Sequence, residues 1–190
     1  WDTTQTIPPD GLQVSNITES SAELSWSIIP FTVAGGYYEV GISTESGGPY
    51  TVLGNTSDKT ESSFVLESLT PGTDYYAVVR TYTPSFFGQK NELLSEYSAE
   101  VTFSTDPLVP EIEIRGNDLI IAHNDLSPSV LDNTDFGSEE VDSSTAVHTF
   151  TIENSGDADL TLTGSPLVVI SGSQAGDFTV TSQPSTPVAA

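Results

Sequence analysis

Short runs in which apolar and polar residues alternate recur along this chain, separated by clusters of Gly, Pro, Asn, Asp and Ser. One run places Ala22, Leu24 and Trp26 on a common face, and the runs at 38–42 and 75–79 repeat the pattern. Side chains alternate between the two faces of a β-strand, so a period of two indicates half-buried strands. The sequence therefore predicts an all-β chain.

The chain of 190 residues is strongly acidic, with 27 Asp and Glu against 4 Lys and Arg and a formal net charge of −23. Such a charge opposes phosphate backbones and anionic lipid headgroups, so we expect no nucleic-acid partner. No apolar run approaches the roughly 18 residues of a membrane span, and we expect no direct membrane insertion. We interpret the acidic excess as a solubility coat, with cation collection as the alternative.

The alternating pattern breaks between Pro107 and Pro110, and we place a domain boundary there. Proline cannot join a central β-ladder, and links that contain proline are stiff and extended. The first domain is expected to cover residues 1–106 and the second residues 107–190. Because the chain opens at Trp1 without a signal peptide, we also expect it to be part of a longer or processed protein.

Three motifs of the first half occur in a characteristic order. Residues 21–26 read Ser-Ala-Glu-Leu-Ser-Trp, residues 71–75 read Pro-Gly-Thr-Asp-Tyr, and a strand-like run follows at 95–105. With these motifs, residues 8–105 resemble a fibronectin type III domain over essentially their full length. The resemblance implies a β-sandwich with a tyrosine corner, in which a buried Tyr hydroxyl bonds the backbone. The core residues expected from it are Trp26, Tyr38, Leu69 and Tyr75.

A long loop is predicted at 83–96, and it presents Phe86 and Phe87 beside Gly88. Hairpin loops usually have about 2 to 5 residues, so this one is long. Exposed adjacent aromatic side chains can anchor a partner, and we predict Phe86 and Phe87 as a ligand-binding loop. The alternative is that both rings pack on the open end of the sandwich or on a neighbouring domain.

The second half carries Asp-Phe-Gly at 135–137, Phe-Thr-Ile-Glu-Asn-Ser-Gly at 150–156 and Asp-Phe-Thr-Val at 177–180. In this order it resembles the ASH-type immunoglobulin-like domains, whose bacterial versions are often called choice-of-anchor D. The resemblance implies a second immunoglobulin-like β-sandwich in tandem with the first. Its expected core residues are Phe150, Ile152 and Phe178. About two closing strands have no counterpart before Ala190, so we expect this sandwich to be incomplete at its C-terminus.

Oxygen donors suited to Ca²⁺ are concentrated in the predicted loops of the second half. The candidate metal ligands are Asp132, Asp135, Asp157 and Asp159. They do not follow the spacing of an EF-hand, and Asp is also common where it caps turns. We therefore expect no cofactor for this chain, and calcium is the alternative.

The sequence lacks the motifs of familiar catalytic sites. It has no cysteine, so a cysteine nucleophile and a thiolate zinc site are excluded. His123 and His148 have no second His or Cys nearby in sequence to share a metal. Glu139 and Glu140 are adjacent, and on a strand they would point to opposite faces, so they could not flank one bond as an acid and a base. We expect no enzyme activity.

We interpret the chain as a noncatalytic spacer or presentation module of a larger exported bacterial cell-surface protein, which is what the two resemblances imply. Bacterial proteins with this pairing often end in an anchoring or sorting signal, in one large group a type IX secretion signal. One alternative is an accessory region of a secreted hydrolase with an upstream catalytic domain. Another is an adhesin or fibre subunit completed by a strand from another chain. The expected partners are neighbouring domains of the same polypeptide, other surface proteins or glycans.

Overall fold

The computed structural model describes residues 7–138 and 145–190, and its regular elements are almost entirely β-strands. The prediction of an all-β chain is thus confirmed. Contacts between Cα atoms divide the chain into two compact units, Trp1–Pro107 and Leu108–Ala190. Glu139 and Glu140 lie outside the described residues. None of the described residues belongs to a helix that is long and apolar enough to cross a membrane.

The first unit is a sandwich of two antiparallel sheets. Its described strands are β1 (Asp10–Ser15), β2 (Ala22–Ser27), β3 (Tyr37–Ser43), β4 (Thr51–Asn55), β5 (Ser63–Leu66), β6 (Asp74–Thr83), β7 (Leu93–Leu94) and β8 (Val101–Ser104). One sheet has the order β1-β2-β5. The other has the order β4-β3-β6, and both β7 and β8 pair with β6.

The inward-facing side chains of both sheets form one apolar core. Its buried members are Ala22, Leu24, Trp26, Ile29, Tyr38, Val40, Ile42, Leu66, Leu69, Tyr75, Ala77, Val79 and Phe103. Strands β2, β3 and β6 supply most of these residues at every second position, which is the period that the sequence shows. The ring of Trp26 meets the ring of Tyr38 edge to face, with 5.5 Å between the centroids. All four core residues predicted for the first domain are therefore buried.

A tyrosine corner stands at the start of β6. The hydroxyl oxygen of Tyr75 accepts a hydrogen bond of 2.9 Å from the backbone N–H of Thr70. The intervening turn contains Pro71, whose ring fixes φ, and Gly72, which has a φ of +60° that favours glycine. This bond satisfies the polar end of a side chain whose ring is buried beside Phe103.

Only Val101–Ser104 (β8) of the closing strand predicted at 95–105 forms a regular strand, and serine hydroxyls bridge the gap between it and the preceding strand β7. The N–H of Thr81 donates to Ser95 Oγ at 2.9 Å, and the N–H of Val79 donates to Ser98 Oγ at 3.0 Å. The backbone N–H groups of the same two serines donate to the carbonyls of Thr81 and Val79. Side-chain acceptors therefore replace backbone acceptors along this part of β6.

The second unit contains one three-stranded sheet among its described residues, with the order β10-β9-β11. The strands are β9 (Ile112–Gly116), β10 (Leu119–Ile120) and β11 (Phe150–Asn154). A two-residue turn joins β9 to β10, and both of its residues, Asn117 and Asp118, have positive φ. This is the conformation of a type I′ hairpin turn, whose twist matches that of the strands.

The structure corrects the predicted core of the second domain. Phe150 and Phe178 are 40% and 43% exposed, and Ile152 is only partly buried. Phe136 contacts the rings of Phe150 and Phe178 and stacks on His148, so these aromatic residues do gather. They stay half exposed because the described strands of this unit form one sheet, and no second sheet among them covers it.

Candidate functional site

Three loops meet at one end of the first sandwich, at residues 28–36, 56–62 and 84–92. The ring of Phe31 in the first loop packs against the ring of Phe86 in the third, with 6.3 Å between centroids. The ammonium group of Lys59, in the second loop, donates to the carbonyl of Val33 and to the hydroxyl of Thr83, both at 3.1 Å. We call this region the loop end of the domain.

The two adjacent phenylalanines of the loop end occupy different environments. The backbones of Phe86 and Gln89 exchange two hydrogen bonds of 2.7 and 2.8 Å, which close a tight turn. Phe87 and Gly88 form its tip, and Phe87 is fully exposed. Phe86 is partly buried against Phe31. The structure therefore separates a packing side chain from one that contacts solvent.

Lys59 is a buried cation at the base of these loops. It is only 1% exposed, and its ammonium group lies 4.6 Å from the centroid of the Phe31 ring. Among the described residues no carboxylate forms an ion pair with it. Desolvation lowers the pKa of Lys59 below its ordinary value of 10.5. The ammonium charge, which a carboxylate usually balances, is therefore stabilised by the Val33 carbonyl, the Thr83 hydroxyl and the face of the Phe31 ring.

The hydroxyl of Tyr38 joins two of the three loops from below. It accepts from the N–H of Ile29 at 2.9 Å and donates to the carbonyl of Lys59 at 3.2 Å. Burial raises the pKa of Tyr38, although the hydrogen bond from Ile29 opposes the shift. Core and loop end are therefore connected through one side chain, which gives the tip at Phe87 an ordered base.

The burial of Lys59 has a measurable consequence for pH dependence. Between its lowered folded pKa and its unfolded value near 10.5, the unfolded chain binds more protons than the folded chain. The free energy of unfolding must therefore gain a positive slope with pH in this window. We expect Lys59→Met to lose this slope, so that the wild type gains stability relative to the variant as pH rises toward 10.5. Urea unfolding from pH 7 to 10.5 measures it.

The matched control for that experiment is Lys90→Met, because Lys90 is exposed. Ionising tyrosines affect the wild type and both variants alike, so the difference between curves isolates the lysine. If the free energy of unfolding varies with pH in parallel for the wild type and Lys59→Met, then Lys59 titrates normally and is not desolvated.

The structure does not assemble the four aspartates proposed as calcium ligands. Asp132 accepts from the N–H and the hydroxyl of Thr134, and Asp135 accepts from the N–H of Gly137. These bonds close local turns, which is the alternative role of Asp. Within residues 7–138 and 145–190, no group of three or more His, Cys, Asp or Glu side chains could hold a metal ion.

Among the described residues, neither histidine belongs to a catalytic arrangement. Nδ1 of His148 lies 2.6 Å from the carbonyl oxygen of Asn133, and its ring stacks on Phe136 with 4.1 Å between centroids. His123 is exposed in a loop. A shallow cleft of about 400 Å³ at the far end of β3 is lined by residues that include Ser43, Thr44 and Glu45. Neither histidine lines this cleft.

Sequence reasoning missed Lys59, the most unusual side chain of the loop end. The chain has two lysines, and a lone lysine in a polar stretch such as Asp58-Lys59-Thr60 is typical of an exposed turn. Its acceptors, Val33 and Thr83, are 26 and 24 residues away. A local pattern contains no signal of contacts at that separation.

Two antiparallel sheets, a tyrosine corner and three loops at one end define an immunoglobulin-like β-sandwich module. The family model of the fibronectin type III domain matches residues 7–104, which is just over half of the chain. The chain belongs to the fibronectin type III family through this first domain. The match ends at residue 104, so it does not extend to the resemblance noted for the second half.

The solved structures to which this chain is similar include fibronectin type III domains. A Fn3-like protein from Clostridium thermocellum is 27% identical, with 55% of this chain and 98% of that chain covered and a TM-score of 0.42. An FN3 domain of human collagen XX is 24% identical, with coverage of 53% and 94% and a TM-score of 0.39. A search of curated proteins gives no match.

Proposed function

We propose that this chain is a noncatalytic presentation module of a larger exported bacterial cell-surface protein. Its fibronectin type III domain holds Phe87 out toward a partner on another surface, such as a protein or a glycan. The second domain, of the ASH or choice-of-anchor D type, continues the same polypeptide as a spacer. The observation that carries the proposal is the fully exposed Phe87 on a tip whose base is ordered by Phe86 and Lys59.

The energetic logic is that of an anchor residue. An exposed aromatic ring gains little in the free protein, and it gains apolar burial when a partner covers it. The ordering of its base by Phe31, Phe86 and Lys59 lowers the entropy that binding would otherwise cost. The acidic surface, with a net charge of −23, supports a role in an open aqueous medium.

We expect Phe87→Ser to abolish binding of the chain, applied in solution, to its partner on arrays of surface proteins and glycans. The same change is expected to move the free energy of unfolding by no more than about 0.5 kcal/mol, because the ring contacts solvent. Phe86→Ser is the matched variant, and it should lower the free energy of unfolding by about 1 to 2 kcal/mol because it removes the contact with Phe31. Urea unfolding and array binding are measured on all three proteins.

Array binding and urea unfolding together show whether Phe87 is presented to a partner or packs on the sandwich. If Phe87→Ser lowers stability as much as Phe86→Ser does, the loop caps the sandwich and the proposal fails. If Phe87→Ser keeps both its stability and full array binding, Phe87 is not an anchor. The surrounding reading frame is a further test, because an upstream metal or nucleophile motif would instead favour an accessory region of a secreted hydrolase.

One observation favours a second candidate, an adhesin or fibre subunit whose second domain accepts a strand from another chain. Among the described residues, β11 pairs with β9 on one side only, and Ile112, Ile114 and Phe150 on these strands are at least 40% exposed. An open edge beside apolar side chains is the arrangement that strand addition uses. Hydrogen-exchange protection of the β11 amides that rises with protein concentration would favour this candidate.

A further inference from the structure

The outer face of the five-stranded sheet carries a row of tyrosines. In the register of β3 against β6, Tyr37 opposes Tyr82, and Glu39 opposes Arg80. Further along the same face, Gly41 opposes Val78, and Ser43 opposes Tyr76. We call Tyr37, Tyr50, Tyr76, Tyr82 and Tyr97 the outer tyrosine face. All five side chains are partly exposed, so they are neither buried in the core nor fully exposed to solvent.

Four of the five rings of this face pack against each other in two pairs. Tyr37 and Tyr82 stack with 4.7 Å between centroids, and Tyr50 meets Tyr97 edge to face at 5.2 Å. Gly41 makes room for the second pair, since a Cβ at that position would lie 3.2 Å from Cβ of Tyr50. Two ordered aromatic pairs therefore stand along a face that strand alternation directs toward solvent.

An exposed carboxylate is fixed beside one pair. Glu100 accepts from the hydroxyl of Tyr50 at 2.5 Å, from the N–H of Gly47 at 2.9 Å and from the hydroxyl of Ser46 at 2.9 Å. These bonds, that of Tyr50 foremost, lower the pKa of Glu100, and the same bond raises the pKa of Tyr50 to about 12. Glu100 is therefore a negative charge held in one place next to an aromatic ring.

A second carboxylate, Glu92, lies just before β7, the strand that pairs with β6 at the other pair. Tyr82 opposes Leu94 in this register, and Glu92 is two residues before Leu94, so strand alternation places it on the same face. Burial raises the pKa of Tyr82, and the charge of Glu92 together with its hydrogen bond to the tyrosine adds to the shift. Glu92 is itself exposed. The face thus repeats one unit, a tyrosine ring with an adjacent carboxylate, at Tyr82 and at Tyr50.

The chain itself shows which group fits such a unit. The guanidinium of Arg80 lies 4.6 Å from the centroid of the Tyr97 ring and forms an ion pair with Glu39. A cation over an aromatic face and beside a carboxylate gains from both interactions. At Tyr50 with Glu100 and at Tyr82 with Glu92, none of the described residues supplies the cation.

We propose that the outer tyrosine face is a docking surface for an extended, basic protein segment, whose Lys or Arg side chains bind at Tyr50 with Glu100 and at Tyr82 with Glu92. Three steps of two residues separate Tyr37 from Ser43 on β3, which is about 20 Å along the strand. An extended segment of about six residues spans that length, and its alternate side chains repeat at the same spacing. The net charge of −23 complements such a partner.

The test uses the full chain and a defined probe, the hexapeptide Arg-Ser-Arg-Ser-Arg-Ser, at about 0.15 M salt, where only short-range charge interactions persist. NMR amide shifts are followed during titration, and a peptide with Glu in place of Arg is the control probe. We expect shifts concentrated on β3, β6 and residues 97–100. Glu100→Gln and Tyr82→Leu should each raise the dissociation constant by about three- to fivefold.

The matched control variant is Glu19→Gln, which removes the same charge from an exposed loop outside this face. It should leave the dissociation constant unchanged. Equal weakening by Glu19→Gln and Glu100→Gln would show attraction by bulk charge only and would overturn the proposal. Shifts elsewhere on the domain would overturn it as well, as would shifts of this face with a neutral hexasaccharide and not with the arginine peptide.

Discussion

Replacing Trp26 with alanine is expected to lower the free energy of unfolding of the first domain by about 3 to 5 kcal/mol. The side chain is only 5% exposed, and its ring contacts Tyr38 in the centre of the core. The indole Nε1 has no hydrogen-bond partner among the described residues, so the loss comes from apolar burial and from the cavity left behind. Urea unfolding followed by far-UV circular dichroism measures the change.

That loss is large relative to the total, because whole domains are stable by only about 5 to 15 kcal/mol. The matched control is Trp26→Phe, which keeps an aromatic ring and should cost less than half as much. Far-UV detection is preferred to fluorescence because the substitution removes one of the chain's two tryptophans. An unfolding midpoint that stays in place in Trp26→Ala would show that Trp26 does not support the core.

Hydrogen exchange on the intact chain is expected to differ between the two units by a factor on the order of a thousand. Amides of β3 and β6 are paired on both sides and lie over the buried core. In the second unit, Gly116 is the only buried residue among those described. Amides of β9 and β11 therefore open at little cost, since few apolar contacts are lost. NMR measures the exchange rate of each amide and so gives the rates for both units.

The dependence of exchange on protein concentration distinguishes the explanations. Slow exchange in β9 and β11 at all concentrations would contradict the expected difference and would mean that this unit has enough stabilising contacts of its own. Slow exchange that develops only at high concentration would mean that a second copy of the chain covers the sheet. The amides of β3 serve as the internal reference, because their protection depends on the first core.

Much of the first domain could be predicted from sequence because its strands alternate cleanly. The alternation at Ala22, Leu24 and Trp26 gives the inward face of β2, and the resemblance that the Pro-Gly turn before Tyr75 helps to carry implies the tyrosine corner. Both depend on residues that are close together in the sequence. The gap between β7 and β8 was not predictable, because Ser95 and Ser98 act through bonds to Thr81 and Val79 on another strand.

The candidate site was predictable only in part. The adjacency of Phe86 and Phe87 indicated an aromatic loop, but both alternatives treated the two rings as a unit. The turn closed by Phe86 and Gln89 directs one ring to Phe31 and the other to solvent, and that turn depends on backbone bonds that the sequence does not specify. In the second half, Phe150 and Ile152 do lie on a strand, β11, but the sequence of a strand does not say what covers it.

The burial of Lys59 leaves the chain with one side-chain amine open to acylating reagents. The chain has two lysines, and the other, Lys90, is exposed three residues from Phe87. A biotin or fluorophore ester applied at neutral pH will therefore label Lys90 and spare Lys59. Random amine immobilisation would place the resin beside the aromatic tip and hinder access to it, whereas a fluorophore at Lys90 would report directly on whatever approaches that tip.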